Sequence, residues 1–489
     1  MASNNSMSVA VVGGGIGGIA AATMLKRAGY ANVTVFERDA GPGGVWHRNT
    51  YPGAAVDVPS HYYEFSFAPN PDWSRRYAPQ AEIRAYLEKV VRDHGVENAF
   101  RFNTEVRSAT WEAPGRWVLD TSAGRHVADV LITACGQLST PKMPDIDGLD
   151  LFAGPAFHTA RWRHDVELNG ARVAVIGTGC SAAQVVPAIE PKVASVDVYQ
   201  RTPTWTLPRG DREYSERAKR LFRRFPRLQR LDRRLVQAFM EIGAIAMTRR
   251  QWMLAPFKAI GRRRINKAIK DPALRRAVTP TDQFGCKRVM VTDDWYPTLA
   301  KPKVHLIEGG VRQITPTGVV GGDGIERPAD VLILATGFRS QDFVAPMEIC
   351  GAGGRSLAEE WAETPKAYLG LSVPGFPNMF LLYGPNTNGG TGSIIFTIEA
   401  GMRHVLAALA ELQRTGTGRI EVRREVADEF HRAVREALPG TVWVDGCGNW
   451  YLDANGHSPN QWPWRWGEYV RRTRTLEPGA YVVGSLTDA

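Results

Sequence analysis

The chain has 489 residues, 44% of them apolar, and a net charge of +10. That length exceeds one ordinary hydrophobic core and calls for two or three domains of a globular protein. No apolar run approaches the roughly 20 residues of a membrane span, and the first residues show no basic region leading into an apolar run, so no signal peptide is expected.

The charge is unevenly spread. Between Arg209 and Arg276 there are 21 Lys and Arg against 6 Asp and Glu, a local +15 that leaves −5 for the remainder. A nucleic-acid reading of the basicity would rest on that segment alone, and no nucleic-acid partner is expected. The five cysteines (Cys135, Cys180, Cys286, Cys350 and Cys447) form no CxxC pair. This spacing argues against a disulfide scaffold, a zinc site or a dithiol reductase, and it fits a reducing, cytoplasmic setting.

In chain order, Val9–Val12 reads as a short buried strand, followed by the loop Gly13-Gly-Gly15-Ile-Gly17-Gly18 and an alanine-rich helix from Ile19 to Arg27. A second strand, Val33–Phe36, ends at Glu37. This is a βαβ unit with GxGxxG at its first turn. The glycines Gly13, Gly15 and Gly18 allow a tight turn and a pyrophosphate at the helix N-terminus, while Glu37 suits ribose hydroxyls. Gly43, Gly44, Trp46 and the turn at Gly53 suit a chain that hugs a flat ring system, or an ordinary loop. Asp57 follows, and an aspartate there is as easily a solvated or capping residue. The run Val130–Gly136 reads as the strand that closes this first unit.

Val173–Ile176 and Gly177-Thr-Gly179-Cys-Ser181-Ala182 repeat the pattern in its GxGxxA form. Glu37 lies 24 positions after Gly13, and Arg201 lies 24 positions after Gly177. A carboxylate suits a free 2′-hydroxyl, whereas a guanidinium suits a 2′-phosphate. The first unit is therefore expected to hold FAD and the second NADPH. Between the units stands Phe152-Ala-Gly154-Pro-Ala-Phe-His158-Thr-Ala-Arg-Trp162, a linker offering a glycine, an imidazole and aromatics. A His in such company is, on its own, more often a packing residue than a catalyst.

From Asp211 to Ala277, Leu221, Phe225, Leu228, Leu231, Leu235 and Phe239 recur at spacings of three and four, the pattern of amphipathic helices inserted in the second unit. Their positive charge suits an anionic membrane surface or a solvated helical cap equally. Lys287-Arg288 follows. Then come strands at Val304–Ile307, Asp330–Gly337 and Met379–Tyr383, a turn at Gly384-Pro-Asn386 that could approach a flavin, and a helix from Glu399 to Arg414. The tail around Asn449-Trp450-Tyr451 is aromatic and turn-rich. The expected fold is α/β, with two Rossmann-like dinucleotide-binding domains and a helical insertion in the second. Its boundaries are 1–145 and 341–489 for the FAD domain, 146–340 for the NADP domain and about 209–280 for the insertion. No metal site is expected.

With these residues in hand, the chain resembles the type I Baeyer–Villiger monooxygenases over nearly its whole length. The family pattern FxGxxxHxxxW matches Phe152, Gly154, His158 and Trp162 between two glycine loops. The resemblance implies an NADPH- and O2-dependent flavoprotein that converts a ketone to an ester or lactone through a C4a-peroxyflavin. It implies that Arg288 is the active-site arginine, with Asp57 its partner acid, and that Arg201, Thr202 and Lys287 grip the 2′-phosphate. His158 then acts in geometry and domain coupling, and Trp450 closes a mobile loop over the cofactor. Two departures stand out: Arg163 replaces the usual proline or aspartate, and His457-Ser458 replaces the GK after the loop glycine. A basic residue at 163 is similar to the flavin-containing monooxygenases, which oxidise nitrogen and sulfur and form the alternative.

Overall fold

The computed structural model describes residues 5–484. The first four and last five residues lie outside the described residues, and with them most of the segment read for a signal peptide. The first apolar run becomes the strand Asn5–Val12, flanked in parallel by Tyr30–Phe36 and Val130–Thr133. Phe100–Arg101 and Met379–Leu381 complete a five-stranded parallel sheet at its two edges. Val9, Ala10 and Val11 are essentially inaccessible, as expected for a strand covered on both faces. One cover is the helix Ile16–Arg27, whose alanines 20–22 allow close approach. The long helix Ile394–Thr415 packs into the same core.

A second five-stranded parallel sheet runs Val304–Glu308, Ser195–Gln200, Arg172–Ile176, Val331–Leu334, Ala156–His158. The stretch read as a linker thus supplies an edge strand, with His158 opposite Leu334. Two smaller sheets built from hairpins were not anticipated. Val106–Glu112, Arg116–Thr121 and Gly124–Ala128 pair with Glu348–Cys350, and Val311–Thr315, Gly318–Gly321 and Glu326–Pro328 form the other.

The basic segment forms the helices Glu216–Arg224, Pro226–Thr248, Ala255–Ala268 and Pro272–Val278. Its apolar periodicity, however, points outward. Leu221, Phe225, Leu228, Leu231, Leu235 and Phe239 are all exposed, Leu235 by 62%. The inward face of Pro226–Thr248 carries Gln229, Val236 and Ala244, and much of its seat is polar. Gln229 donates to Glu64 at 2.8 Å, and Asp232 pairs with His61 at 2.8 Å.

The cysteine reading is also corrected. Cys286 and Cys447, 161 positions apart with Cα atoms 6.1 Å apart, are joined in a disulfide. Spacing rules detect local pairs, and this one is made by the tail folding back over the second sheet's lobe.

Buried His404, in the helix Ile394–Thr415, shares a 2.8 Å hydrogen bond with Tyr481, and burial pushes its pKa down to about 4. An unfolded histidine titrates near 6.5. The unfolded state therefore binds more protons between these values, and stability falls as pH drops from about 6.5 to 4. Urea midpoints measured across this range are expected to fall less steeply for His404→Gln than for the wild type, and parallel slopes would refute the assignment.

Candidate active site

Gly13 and Gly177 open the two loops with φ of +109° and +110°. A Cβ on either would lie 2.5 Å from a carbonyl oxygen, that of Ala134 in the first unit and of Ala335 in the second. Each loop is thus pressed against the end of the adjacent strand, a contact only glycine permits. Gly18 serves packing too, since its Cβ would sit 1.9 Å from the Gly13 oxygen.

Gly15 and Gly179 are the N-caps of Ile16–Arg27 and Cys180–Ile189, and neither helix has a side-chain cap or an acid in its first turn. Both N-termini line one cavity of about 1450 Å³. At Gly179 a Cβ would meet nothing within 4 Å, so the backbone there borders open space. Uncapped N–H groups at the positive end of a helix dipole suit a pyrophosphate. Two such ends on one cavity fit two dinucleotides.

The strand-end residues differ as their charges require. Glu37 is buried and accepts the Gly14 N–H at 2.6 Å and the Asp39 N–H at 2.9 Å. Burial raises its pKa, and these N–H groups pull the other way. In the second unit Arg201 and Thr202 are exposed on the cavity wall. Lys287 joins them, its Nζ donating to Thr202 at 2.9 Å and to Asp282 at 2.5 Å.

Arg288 turns away from its neighbour Lys287 and donates to Asp57 Oδ2 through Nε at 3.1 Å and a terminal nitrogen at 2.5 Å. The Asp57 charge raises the guanidinium pKa well above its ordinary value, with burial opposing. Four phenols that the motif reading did not single out gather here: Tyr51, Tyr63, Tyr383 and Tyr451. Burial pushes all of them up, Tyr51 to about 12, so they stay neutral. The Cys180 thiol, raised by burial and lowered by Arg288, completes the ring. These side chains come from separate segments, and only the aromatic richness of the tail hinted at Tyr451.

Gly44, at φ +55°, faces Gly15 closely enough that a Cβ would lie 2.9 Å from its Cα. Trp46 borders the cavity and donates to the Tyr63 hydroxyl at 3.0 Å. Ser181 and Trp450 line the cavity as well, Trp450 being 38% exposed with its ring 4.0 Å from that of Tyr451.

Two expected residues stand apart. His158 is buried outside the cavity lining, accepts the Ala160 N–H at 3.1 Å and sits edge-on to Phe338, which does line it. Burial lowers its pKa, which favours the neutral ring. Asn386 does not line the cavity either. Its amide donates to the Ser458 and Gln461 carbonyls, clasping the tail, and the following Thr387 and Asn388 reach the wall instead. Arg163 lies in solvent paired with Asp165. At the other departure, His457 and Asp453 close the tail turn through reciprocal 2.8 Å bonds. Among the described residues, no group of three or more His, Cys, Asp or Glu could hold a metal ion.

Residues 11–78 match the NAD(P)-binding Rossmann-like domain family. Over 97% of its length the chain is 42% identical to a Baeyer-Villiger monooxygenase of Streptomyces coelicolor, covering 92% of that protein. Its fold matches cyclohexanone monooxygenase from Rhodococcus sp. Phi1 bound to NADP+, at 28% identity with TM-score 0.86, covering 98% of this chain and 99% of that one. It likewise matches the OTEMO complex with FAD and NADP, at 26% identity with TM-score 0.86, covering 99% and 100%.

Arg201 is an exposed guanidinium on the cavity wall, and a charge-assisted contact from such a group to a 2′-phosphate would contribute roughly 1.5–3 kcal/mol, or about ten- to a hundredfold in affinity. Arg201→Ala is expected to weaken NADPH binding by that factor and leave NADH binding nearly unchanged. Titrating both cofactors checks this, and equal losses would remove Arg201 from the phosphate site.

Proposed function

The chain belongs to the Baeyer–Villiger monooxygenase family, and from that premise we propose that it uses FAD, NADPH and O2 to insert one oxygen atom beside a ketone carbonyl. The products are an ester or lactone and water. The observation that carries this reading is the Arg288–Asp57 pair, ringed by neutral phenols, on a cavity that both glycine loops share. Residues 1–145 and 341–489 form the FAD domain in this reading. Residues 146–340 form the NADP domain, with the insertion at about 209–280.

Bound at the two loops, FAD and NADPH supply the electrons and the activated oxygen. The chain does the rest. Glu37 takes the ribose hydroxyls of FAD, and Arg201, Thr202 and Lys287 hold the 2′-phosphate of NADPH. Arg288 offers fixed N–H donors to the oxyanion that forms when a ketone carbonyl is attacked. Asp57 keeps that fork in one orientation, which matters because preorganised donors need no rearrangement as charge develops. The phenols surround the centre without adding a competing charge, and Trp450 covers the mouth against water. His158 acts as a positioning residue, setting the 159–161 turn and Phe338. The alternative, oxidation of nitrogen or sulfur, gains nothing from Arg163, which faces solvent.

Incubating the holoenzyme with a ketone, a sulfide and an amine tests this, with ester from the ketone as the expected product. Heteroatom oxide without ester would replace the proposal by its alternative. Arg288→Ala is expected to keep its bound FAD, read by absorbance, yet lose ester formation by about 10²-fold or more, the usual cost of removing an oxyanion donor.

We also place the enzyme in the cytoplasm, where NADPH is supplied, and propose that its insertion rests on an anionic membrane surface. No described helix is long and apolar enough to cross a membrane. Along Pro226–Thr248, however, Leu228, Leu231, Leu235, Phe239 and Ile242 form one exposed stripe, with exposed Arg227, Arg230 and Arg234 on its flank. A second copy would bring like charges together on this face, whereas an anionic surface complements them. Each large apolar side chain contributes roughly 1.5–3 kcal/mol when buried. Leu235→Glu/Phe239→Glu is therefore expected to cut cosedimentation with phosphatidylglycerol vesicles by about tenfold or more. Wild-type binding no greater than to phosphatidylcholine vesicles would sink the idea.

A further inference from the structure

Two walls of the cavity mouth begin at cysteines. Lys287 and Arg288, on one wall, directly follow Cys286, while Gly448, Asn449 and Trp450, on the other, directly follow Cys447. The two sulfurs are bonded to each other. The approach is shaped for this contact. A Cβ at Gly446 would lie 2.9 Å from the Cys286 Cβ and 2.6 Å from the Val442 oxygen, so the chain beside Cys447 can seat there only as glycine. Asn449 is held by the Trp443 carbonyl at 2.8 Å and points its Nδ2 at both sulfurs, 3.9 Å from Cys286 and 4.0 Å from Cys447. Cys286 is fully buried and Cys447 half-buried, so one thiol is open to a small oxidant and the other waits behind it.

We propose that Cys286 and Cys447 are a reversible redox site that fixes the loop bearing Trp450 over the nicotinamide-nucleotide end of the cavity. The inference rests on the reading of that cavity as the NADP(H) site. Hydrogen peroxide is the oxidant. The Cys447 thiolate attacks one peroxide oxygen and releases hydroxide, leaving a sulfenic acid. The Cys286 thiolate then attacks the Cys447 sulfur, forming the S–S bond and expelling a second hydroxide. The two thiol protons convert both hydroxides to water. Two thiols lose two electrons, and one peroxide gains them. A dithiol reverses the change. In the oxidised form the loop is tied to the segment that carries Arg288, and cofactor exchange is slow. In the reduced form residues 446–456, which contain no helix or regular strand, can lift.

The test uses the full-length holoenzyme, treated with hydrogen peroxide or dithiothreitol. Mass spectrometry of the digest reads the Cys286–Cys447 link, limited proteolysis reads opening of residues 446–456, and stopped-flow displacement reads NADP+ release. Oxidised wild type is expected to show the linked peptide. Its loop cleavage and NADP+ release should both be roughly tenfold slower, the scale on which an opening equilibrium shifts by about 1.4 kcal/mol. Cys447→Ser should behave as the reduced protein under both treatments. If Cys286→Ser, at the fully buried position, fails to fold, Cys447→Ser still decides the matter. An unlinked pair after peroxide overturns the proposal, and so does a linked pair with unchanged cleavage. Failure of NADP+ to bind in either state would refute the functional reading instead, and loop cleavage would still judge the redox site.

Discussion

Arg288 and Asp57 stand 231 positions apart, yet the site is organised by their contact. A guanidinium taken partly out of water needs a matched acceptor, and removing one partner of such a pair leaves an uncompensated charge. The loop bearing Asp57 is therefore held against the second lobe by several independent contacts. Gly53, at φ +80°, comes so close that a Cβ would lie 2.4 Å from the Gln184 carbonyl oxygen. Tyr51 donates to the Gln184 side chain at 3.0 Å, and Gln184 donates to the Ala55 carbonyl at 2.9 Å. Gln184 lies in the helix Cys180–Ile189, whose N-terminus faces the cavity. One helix thus turns its uncapped N-terminus to the cavity and holds the loop that carries the arginine's partner acid.

The two glycine loops repeat one backbone solution with opposite side-chain chemistry. The near-equal φ of Gly13 and Gly177, each against a strand-end carbonyl, set where each helix begins. Once that is fixed, the residue 24 positions on falls at the wall of the shared cavity. Glu37 tolerates burial because two backbone N–H groups meet its carboxylate. Arg201 remains exposed at the cavity edge, where water solvates its charge.

How much of this was legible in the sequence depended on whether the governing contacts were local. Val9–Val12 and Val173–Ile176 announced themselves because strands in a doubly covered parallel sheet must be apolar throughout. The Asp57–Arg288 pairing became legible through family resemblance, since neither residue is distinctive alone. Tyr451 was visible only as part of an aromatic tail, and Tyr51, Tyr63 and Tyr383 escaped because no spacing connects such distant segments. The Cys286–Cys447 bond escaped for the same reason. Asn386 sat beside a glycine turn that suited a flavin, but nothing local to that turn marks its amide as the clasp of the Ser458 and Gln461 carbonyls, 72 and 75 positions on. The hairpins of residues 106–128 are half-covered, and in Arg116–Thr121 buried Trp117, Leu119 and Thr121 alternate with outward residues, a two-residue period that was legible and went unread.

The helical insertion shows where periodicity reaches its limit. Spacings of three and four establish that a helix is amphipathic, not which face docks. Here much of the docking is polar. Glu64 is buried and accepts from Asn70 N–H at 3.0 Å, Trp73 at 2.8 Å and Gln229 at 2.8 Å. Burial pushes its pKa up to about 8 against those donors, so the carboxyl is largely protonated at neutral pH. A mostly neutral acid with three donors around it fixes register more strictly than interchangeable apolar contacts could. With Gln229 seated there and Asp232 on His61, the rotation of Pro226–Thr248 is set, and Leu231, Leu235 and Phe239 must face away from the protein. The outward stripe is thus a consequence of the polar seat.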